Sequence, residues 1–300
     1  EMSASLVGSE MCIRDRLLSA NFSRLWRSKI FWVLEALSAI AGAVFYILAI
    51  INTKNIGENW YLASGNYYFF IGLVIVGAIM AVFSAFYIGS EYDQGTIRNK
   101  LNVGCTRNSI YLTNLIVVVT SSVLFTITHI AASVVVGLPF LGGLMWEALA
   151  PVGWRIPTAI VMLLCYSAVF TFIAMQDSNK SRSLIISFVF ALVIIIGGLY
   201  VYSALQEPEF TTRMIMQEDG SYLRQEGIPN SNYIRGTVRT VYTFVEACIP
   251  STQGLNIARS EGVFSPLAII CQLCVSIVTT AAGVSLFKNC LLYTSPSPRD

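Results

Sequence analysis

The sequence predicts an all-α polytopic membrane protein: six transmembrane helices, both termini cytoplasmic, an amino-terminal interfacial helix, and a large outer loop between spans five and six. Three observations predict it. Only 12% of the 300 residues are charged while 55% are hydrophobic, half the charge density of about 25% that dresses a soluble domain. Six separate stretches hold the roughly 20 apolar residues that a crossing helix needs. Basic residues gather on alternate connections between those stretches, as they do on the cytoplasmic side of membrane proteins. The mean hydropathy of +0.66 excludes a string of soluble domains, a disordered chain and a coiled coil. A formal charge of +2 is too small for a nucleic-acid footprint.

The two ends read differently from the rest. Residues 290–300, CLLYTSPSPRD, back-translate without a mismatch into a string resembling the transposase adapter of short-read sequencing libraries. Residues 5–15, SLVGSEMCIRD, fit the complementary adapter strand, and Glu1 and Met2 fit its primer tail. The expectation is that 1–15 and 290–300 are translated adapter and that 16–289 is a single transmembrane domain. Removing both ends leaves seventeen basic and thirteen acidic residues, a net +4.

The expected spans are 30–51, 67–88, 110–137, 156–175, 183–204 and 264–287. None shows the polar face every 3.6 residues of a soluble amphipathic helix. The third is long enough to tilt or to run on into a loop. Arg16, Arg24, Arg27, Lys29, Arg98, Lys100, Arg107, Lys180, Arg182 and Lys288 fall on one side, against Lys54 and Arg155 in the opposite short loops. That asymmetry puts both termini inside; a seventh span would leave Lys288 outside. Trp60, Tyr61, Tyr67, Tyr68, Trp146 and Trp154 mark the outer interface, where amphipathic rings settle. The first apolar stretch is too long for a cleavable signal peptide and lacks a small-residue cleavage site.

Before the first span, Leu18, Phe22, Leu25 and Trp26 form one helical stripe, with Arg24, Arg27 and Lys29 free to snorkel toward lipid phosphates. Residues 88–109 form a short connection that carries both signs of charge, with Ser90 or Asp93 as candidate caps and Gly95 and Gly104 as punctuation. It reads either as a partner-docking turn or as a solvated loop. Residues 205–263 are the one sizeable hydrophilic region. Within it 234–249 reads as an amphipathic helix, with Val238, Val241, Tyr242, Val245 and Ile249 on one side and Pro250 ending it. Cys248 stands alone outside, which leaves it without a disulfide partner, and a single histidine excludes a cysteine–histidine metal site.

No G-x-x-x-x-G-K-[ST] run is present, so nothing in the chain cradles a nucleotide phosphate in the usual way. H-E-x-x-H, G-x-S-x-G and paired intramembrane carboxylates are missing too. Catalytic residues are therefore expected to be none, and metal ligands none. Two ionisable groups interrupt the spans: Glu35 and His129. Burying a charge in lipid costs several kcal/mol, so Glu35 is a candidate for a substrate path, for a bond to another helix, or for reaching back to Lys29 or Arg182. Small residues cluster at Ala36, Ala39, Gly42 and Ala43 and at Gly72, Gly77, Ala78, Ala81 and Ala85. They suit close helix packing within the subunit or a homodimer contact.

The run EYDQGTIRNKLNVGCTRNSIYLTNLI resembles the signature region of permease subunits in the type-2 ABC exporter class, especially lantibiotic-immunity and bacitracin-export permeases. Glu91, Gly95, Thr96, Ile97, Arg98, Thr106 and Arg107 occupy that family's acidic position, Gly-Thr-[Ile/Leu]-Arg core and Ser/Thr-Arg pair. The opening 20–32, ANFSRLWRSKIFW, is similar to its amino-terminal connecting helix. The resemblance implies a multi-pass permease of a bacterial, Gram-positive plasma membrane, acting in antibiotic export as one half of a homodimer. It implies a separate ATP-binding subunit, with ATP and Mg on that partner and no cofactor in this chain. It also implies coupling contacts from Glu91, Tyr92, Asp93, Gly95, Thr96, Arg98, Lys100 and Arg107, and substrates that are amphipathic peptides or lipid-like molecules. A secondary transporter or channel without an ATPase would want charged or broken helices near the midplane, for which only Glu35 and His129 stand. A sensory protein would use the outer loop as a receptor.

Overall fold

A computed structural model describes residues 16–54, 69–141, 153–216, 222–259 and 265–289. The adapter reading of 1–15 and 290–300 and the outer aromatics before Trp154 fall outside these. A first helix, α1, covers 16–27. It is followed by α2 (Lys29–Lys54), α3 (Gly72–Asp93), α4 (Thr96–Asn102), α5 (Arg107–Leu141), α6 (Arg155–Gln176) and α7 (Lys180–Gln206). Strands β1 (Phe210–Met216) and β2 (Tyr222–Pro229) come next, then α8 (Gly236–Cys248), α9 (Pro250–Ala258) and α10 (Pro266–Asn289). Six of the helices, α2, α3, α5, α6, α7 and α10, are long and apolar enough to cross a membrane. They correspond one for one with the expected spans.

Burial sorts the spans into layers. In α3 and α6, 67% of the most apolar window is buried, against 22–28% in α2, α7 and α10. The middle of the bundle is therefore α3 against α6, with α2 packed on α5, α7 on α3 and α10 on α6. Phe31 of α2, Phe83 of α3 and Phe125 of α5 meet with ring centroids 5.6–6.3 Å apart. Such pairs add about 0.5–1.5 kcal/mol beyond their area, and here they join three spans at one point.

The α2–α5 seam is polar and close. Ser38 Oγ donates to the Phe125 carbonyl at 2.7 Å, and Ser133 Oγ donates to the Gly42 carbonyl at 3.1 Å. Glu35 meets Thr128 of α5. Its side chain thus turns to α5, not back to Lys29 or Arg182. Of the first small-residue cluster only Gly42 is fully buried; Ala36 is exposed, because the α5-facing stripe runs through Phe31, Glu35, Ser38, Gly42 and Tyr46. Gly77, Ala81 and Ala85 of the second cluster are buried inside the subunit.

Ser28 breaks α1 from α2, its Oγ accepting the Phe31 N–H at 3.4 Å as an N-cap does. The buried stripe of α1 is Leu17, Asn21 and Leu25, rotated from the expected one, and Trp26 is exposed. The reason is polar: Asn21 and Arg24 turn inward to a buried carboxylate, so Arg24 does not snorkel to lipid.

The segment between α7 and α10 departs most from expectation. It holds an antiparallel hairpin, pairing Phe210 with Pro229 through Met216 with Tyr222, and two helices in place of one. Pro250 does end α8, but it also opens α9 at the first helical position, where its missing N–H costs nothing. Every α9 residue except Asn256 is buried, packed against α3, α6 and α7. Ser251 Oγ donates to the Ile194 carbonyl at 2.8 Å. Ile194 lies roughly 18 Å of helix from the α7 end at Gln206. The α8–α9 turn therefore reaches deep among the spans, and Arg155 Nη2 ties the other end of α9 by donating to the Arg259 carbonyl at 3.1 Å. Val238, Val241 and Val245 of α8 face outward. Cys248 packs beside Cys271 of α10, so it does not stand alone; both thiols are free.

Between α6 and α7, Asp177 accepts from Arg182 through both of its oxygens, one bond being 2.7 Å to Nη2. The guanidinium holds the Asp177 carboxyl below its usual range. A depressed carboxyl stabilises above its ordinary pKa and loses that contribution as pH falls through the lowered value. The thermal midpoint should therefore drop below about pH 4, and Asp177→Asn should flatten that limb. An unchanged slope in the variant would show that the pair contributes nothing.

Candidate functional site

The connection from α3 to α5 is built by two glycines. Gly95 and Gly104 have φ of +66° and +94°, a region that side chains with a Cβ avoid. Gly95 turns the chain out of α3 and opens α4, so neither Ser90 nor Asp93 caps it; Ser90 Oγ instead donates to the Tyr87 carbonyl at 2.8 Å. At the other end the Gly104 N–H bonds the Leu101 carbonyl and the Cys105 N–H the Lys100 carbonyl, each at 3.0 Å, the paired closure of a Schellman stop. Thr106 then caps α5, its Oγ1 accepting the Ser109 N–H at 3.2 Å. Ile97, 1% exposed, anchors α4 to the core.

Beneath α4 sits a buried ion cluster. Glu91, in the last turn of α3, has no exposed side-chain surface and pairs with both Arg24 of α1 and Lys100 of α4. Asn114 of α5 donates to Glu91 Oε2 at 2.8 Å, and Asn21 of α1 donates to Asn114 Oδ1 at 3.1 Å. Lys100 Nζ also reaches Asn21 Oδ1 at 2.9 Å. Tyr87 closes the set: its hydroxyl donates to the Asn21 carbonyl at 2.9 Å and its ring lies 3.9 Å under the Arg24 guanidinium. One carboxylate thus joins four helices. Burial holds the Lys100 ammonium below its usual range, with Glu91 opposing that shift.

The eight residues expected to form coupling contacts divide in two. Glu91 and Lys100 belong to the buried cluster. Tyr92 donates its hydroxyl to the Met175 carbonyl at 2.6 Å, and Arg107 Nη1 donates to the Phe287 carbonyl at 2.8 Å; these hold the turn against α6 and α10. Gly95 shapes it and Thr96 is half-buried. Asp93 and Arg98 are exposed, together with Gln94, Asn99, Asn102 and Val103, the last 77% exposed. Glu35 lies apart, in the α2–α5 seam. Asn21, Arg24, Tyr87 and Asn114 are the members that sequence reasoning missed as site residues. The available signal was a pair of amides at positions where an apolar side chain would serve plain packing. Among the described residues no group of three His, Cys, Asp or Glu side chains is placed to hold a metal.

Six helices long and apolar enough to cross a membrane, with a glycine-bounded turn locked to an ion cluster, define a multi-pass membrane protein. The chain belongs to the ABC-2 family of transporter proteins, whose family model matches residues 17–198, more than half of its length. Members are the membrane permease component of an ABC transporter, distinct from the ATPase, and work with an ABC ATPase partner. A comparison with curated proteins finds no match.

Proposed function

We propose that this permease is the export channel of an ATP-driven transporter for amphipathic peptides, antibiotics or lipid-like molecules, with the end that carries α1 and α4 facing the cytoplasm. The observation that carries the reading is the α4 turn: polar and exposed on its outer side, and clamped from within by one carboxylate to α1, α3 and α5. A turn built this way transmits a push instead of absorbing it. Asp93, Arg98 and Val103 are the contact side chains; Glu91, Lys100, Tyr92 and Arg107 act as positioning residues. Two copies flank one pathway, each seated on an ATPase subunit that binds ATP and Mg. Closure of the ATPases drives the turns, and the α8–α9 hairpin caps the far end of the path. The chain itself carries no ATPase chemistry, and its setting is a bacterial plasma membrane.

The test is co-purification. Asp93→Arg with Arg98→Glu should lower recovery of the partner ATPase at least tenfold, while membrane insertion of the permease is unchanged. Undiminished recovery would remove α4 as the docking element. Co-expression of the wild-type permease with the ATPase should confer resistance to amphipathic antibiotics, and the same variant should lose it; a wild-type pair that confers none would sink the substrate assignment.

A further inference from the structure

Several cations at the α1–α4 end are held by partners within the chain. Arg24 and Lys100 share the single carboxylate of Glu91, Arg182 pairs with Asp177, and Arg107 donates to the Phe287 carbonyl of α10. Lys180 Nζ lies 4.7 Å from the Phe86 ring. Arg27 and Lys29, at the α1–α2 junction, are exposed and meet no acidic partner among the described residues. They are bracketed by two exposed tryptophans, Trp26 and Trp32, 49% and 54% exposed. These rings are fixed: Trp32 Nε1 donates to the Trp26 carbonyl at 2.9 Å, and Trp26, Phe31 and Trp32 pack with centroids 5.4–6.1 Å apart.

Tryptophans with one polar edge settle at the boundary between hydrocarbon and headgroups. A rigid exposed pair of rings, Trp26 and Trp32, on the same short stretch of chain as Arg27 and Lys29 sets those two cations at the depth of lipid phosphates. From this we infer that the α1–α2 junction is a binding site for anionic phospholipid headgroups in the leaflet that meets this end. Charge complementarity and depth select the occupant, and the site stands apart from the transport reading. It also has a structural consequence. The same helix carries Asn21 and Arg24 into the Glu91 cluster, so a lipid held at Arg27 and Lys29 steadies α1 under α4.

The experiment uses the full chain in detergent with added phosphatidylglycerol or phosphatidylcholine, and reads retained lipid by native mass spectrometry. Wild type should keep phosphatidylglycerol in preference. Arg27→Gln and Lys29→Gln should each weaken that retention roughly fivefold, the worth of one basic residue near an anionic surface. Lys288→Gln, which removes an exposed cation of α10 at the same end, should leave it unchanged. A second arm needs no variant: phosphatidylglycerol, unlike phosphatidylcholine, should slow amide exchange over residues 16–29 in wild type. The site is overturned by equal retention of the two lipids, by undiminished retention in Arg27→Gln and Lys29→Gln, by an equal loss in Lys288→Gln, or by exchange that phosphatidylglycerol does not slow. Loss of a co-purifying protein with lipid retention unchanged would make the junction a protein contact and would overturn it as well.

Discussion

Glu91→Gln is expected to be the most damaging single substitution in the chain. It leaves the Arg24 and Lys100 charges with no carboxylate in a site where Glu91 has no exposed surface. Breaking a buried pair by removing one partner costs about 3–5 kcal/mol. The lower figure suits this site, because a quarter of the Arg24 side chain remains exposed. The introduced amide still meets Asn114, so shape is preserved and only charge is lost. The thermal midpoint in detergent should fall by several degrees, and protease should cut within 94–106 at sites closed in wild type. Lys100→Met added to Glu91→Gln should recover part of the loss, since one unpaired cation is then removed. A double variant no better than the single would mean that the ion cluster does not hold α4.

Gly42→Leu should be the second. A Cβ at position 42 falls within contact distance of the His129 carbonyl oxygen, backbone that cannot swing aside, and 3.1 Å from Ser133 Oγ. Overpacking costs about 1–3 kcal/mol, and here it also parts the hydrogen bonds from Ser38 to the Phe125 carbonyl and from Ser133 to the Gly42 carbonyl. Displacement of α2 from α5 should show as lost thermal stability and as reactivity of a cysteine placed at Ser133 toward small maleimides. Gly42→Ala should give the same direction at smaller size. Full stability in Gly42→Leu would mean that the two helices do not approach as closely as they do here.

Much of the α3–α5 connection was readable in the chain because its signals are local. Gly95 and Gly104 mark the turns and the long apolar runs state their own length, whereas the expected caps Ser90 and Asp93 give way to Gly95, which opens α4 itself. Glu91 was legible as important but not as buried. Whether a carboxylate at the end of a span faces water or three neighbouring helices depends on Asn21 and Arg24, some seventy residues earlier, and on Asn114. The same limit explains α1. Its periodicity allows Leu18, Phe22, Leu25 and Trp26 as one stripe, and only the inward pull on Asn21 and Arg24 turns the helix so that Leu17, Asn21 and Leu25 are buried while Trp26 is exposed. In the 205–263 segment, hydrophilic composition argued for an outer loop. It could not reveal that α9 is covered on three sides by α3, α6 and α7, since Ser251 bonds the Ile194 carbonyl of α7 while Thr252 and Gln253 turn back to the Glu246 carbonyl of α8.

Sequence alone determined that this chain lives in lipid, where it crosses, and where it turns. Those properties follow from transfer free energy and backbone freedom, which each residue carries wherever it is placed. Tertiary structure alone decided which polar groups are spent in holding the molecule together and which are left on its surface. A charge has no fixed role until its neighbours are known: Arg24 and Arg27 are three residues apart, and one is locked to Glu91 while the other is exposed.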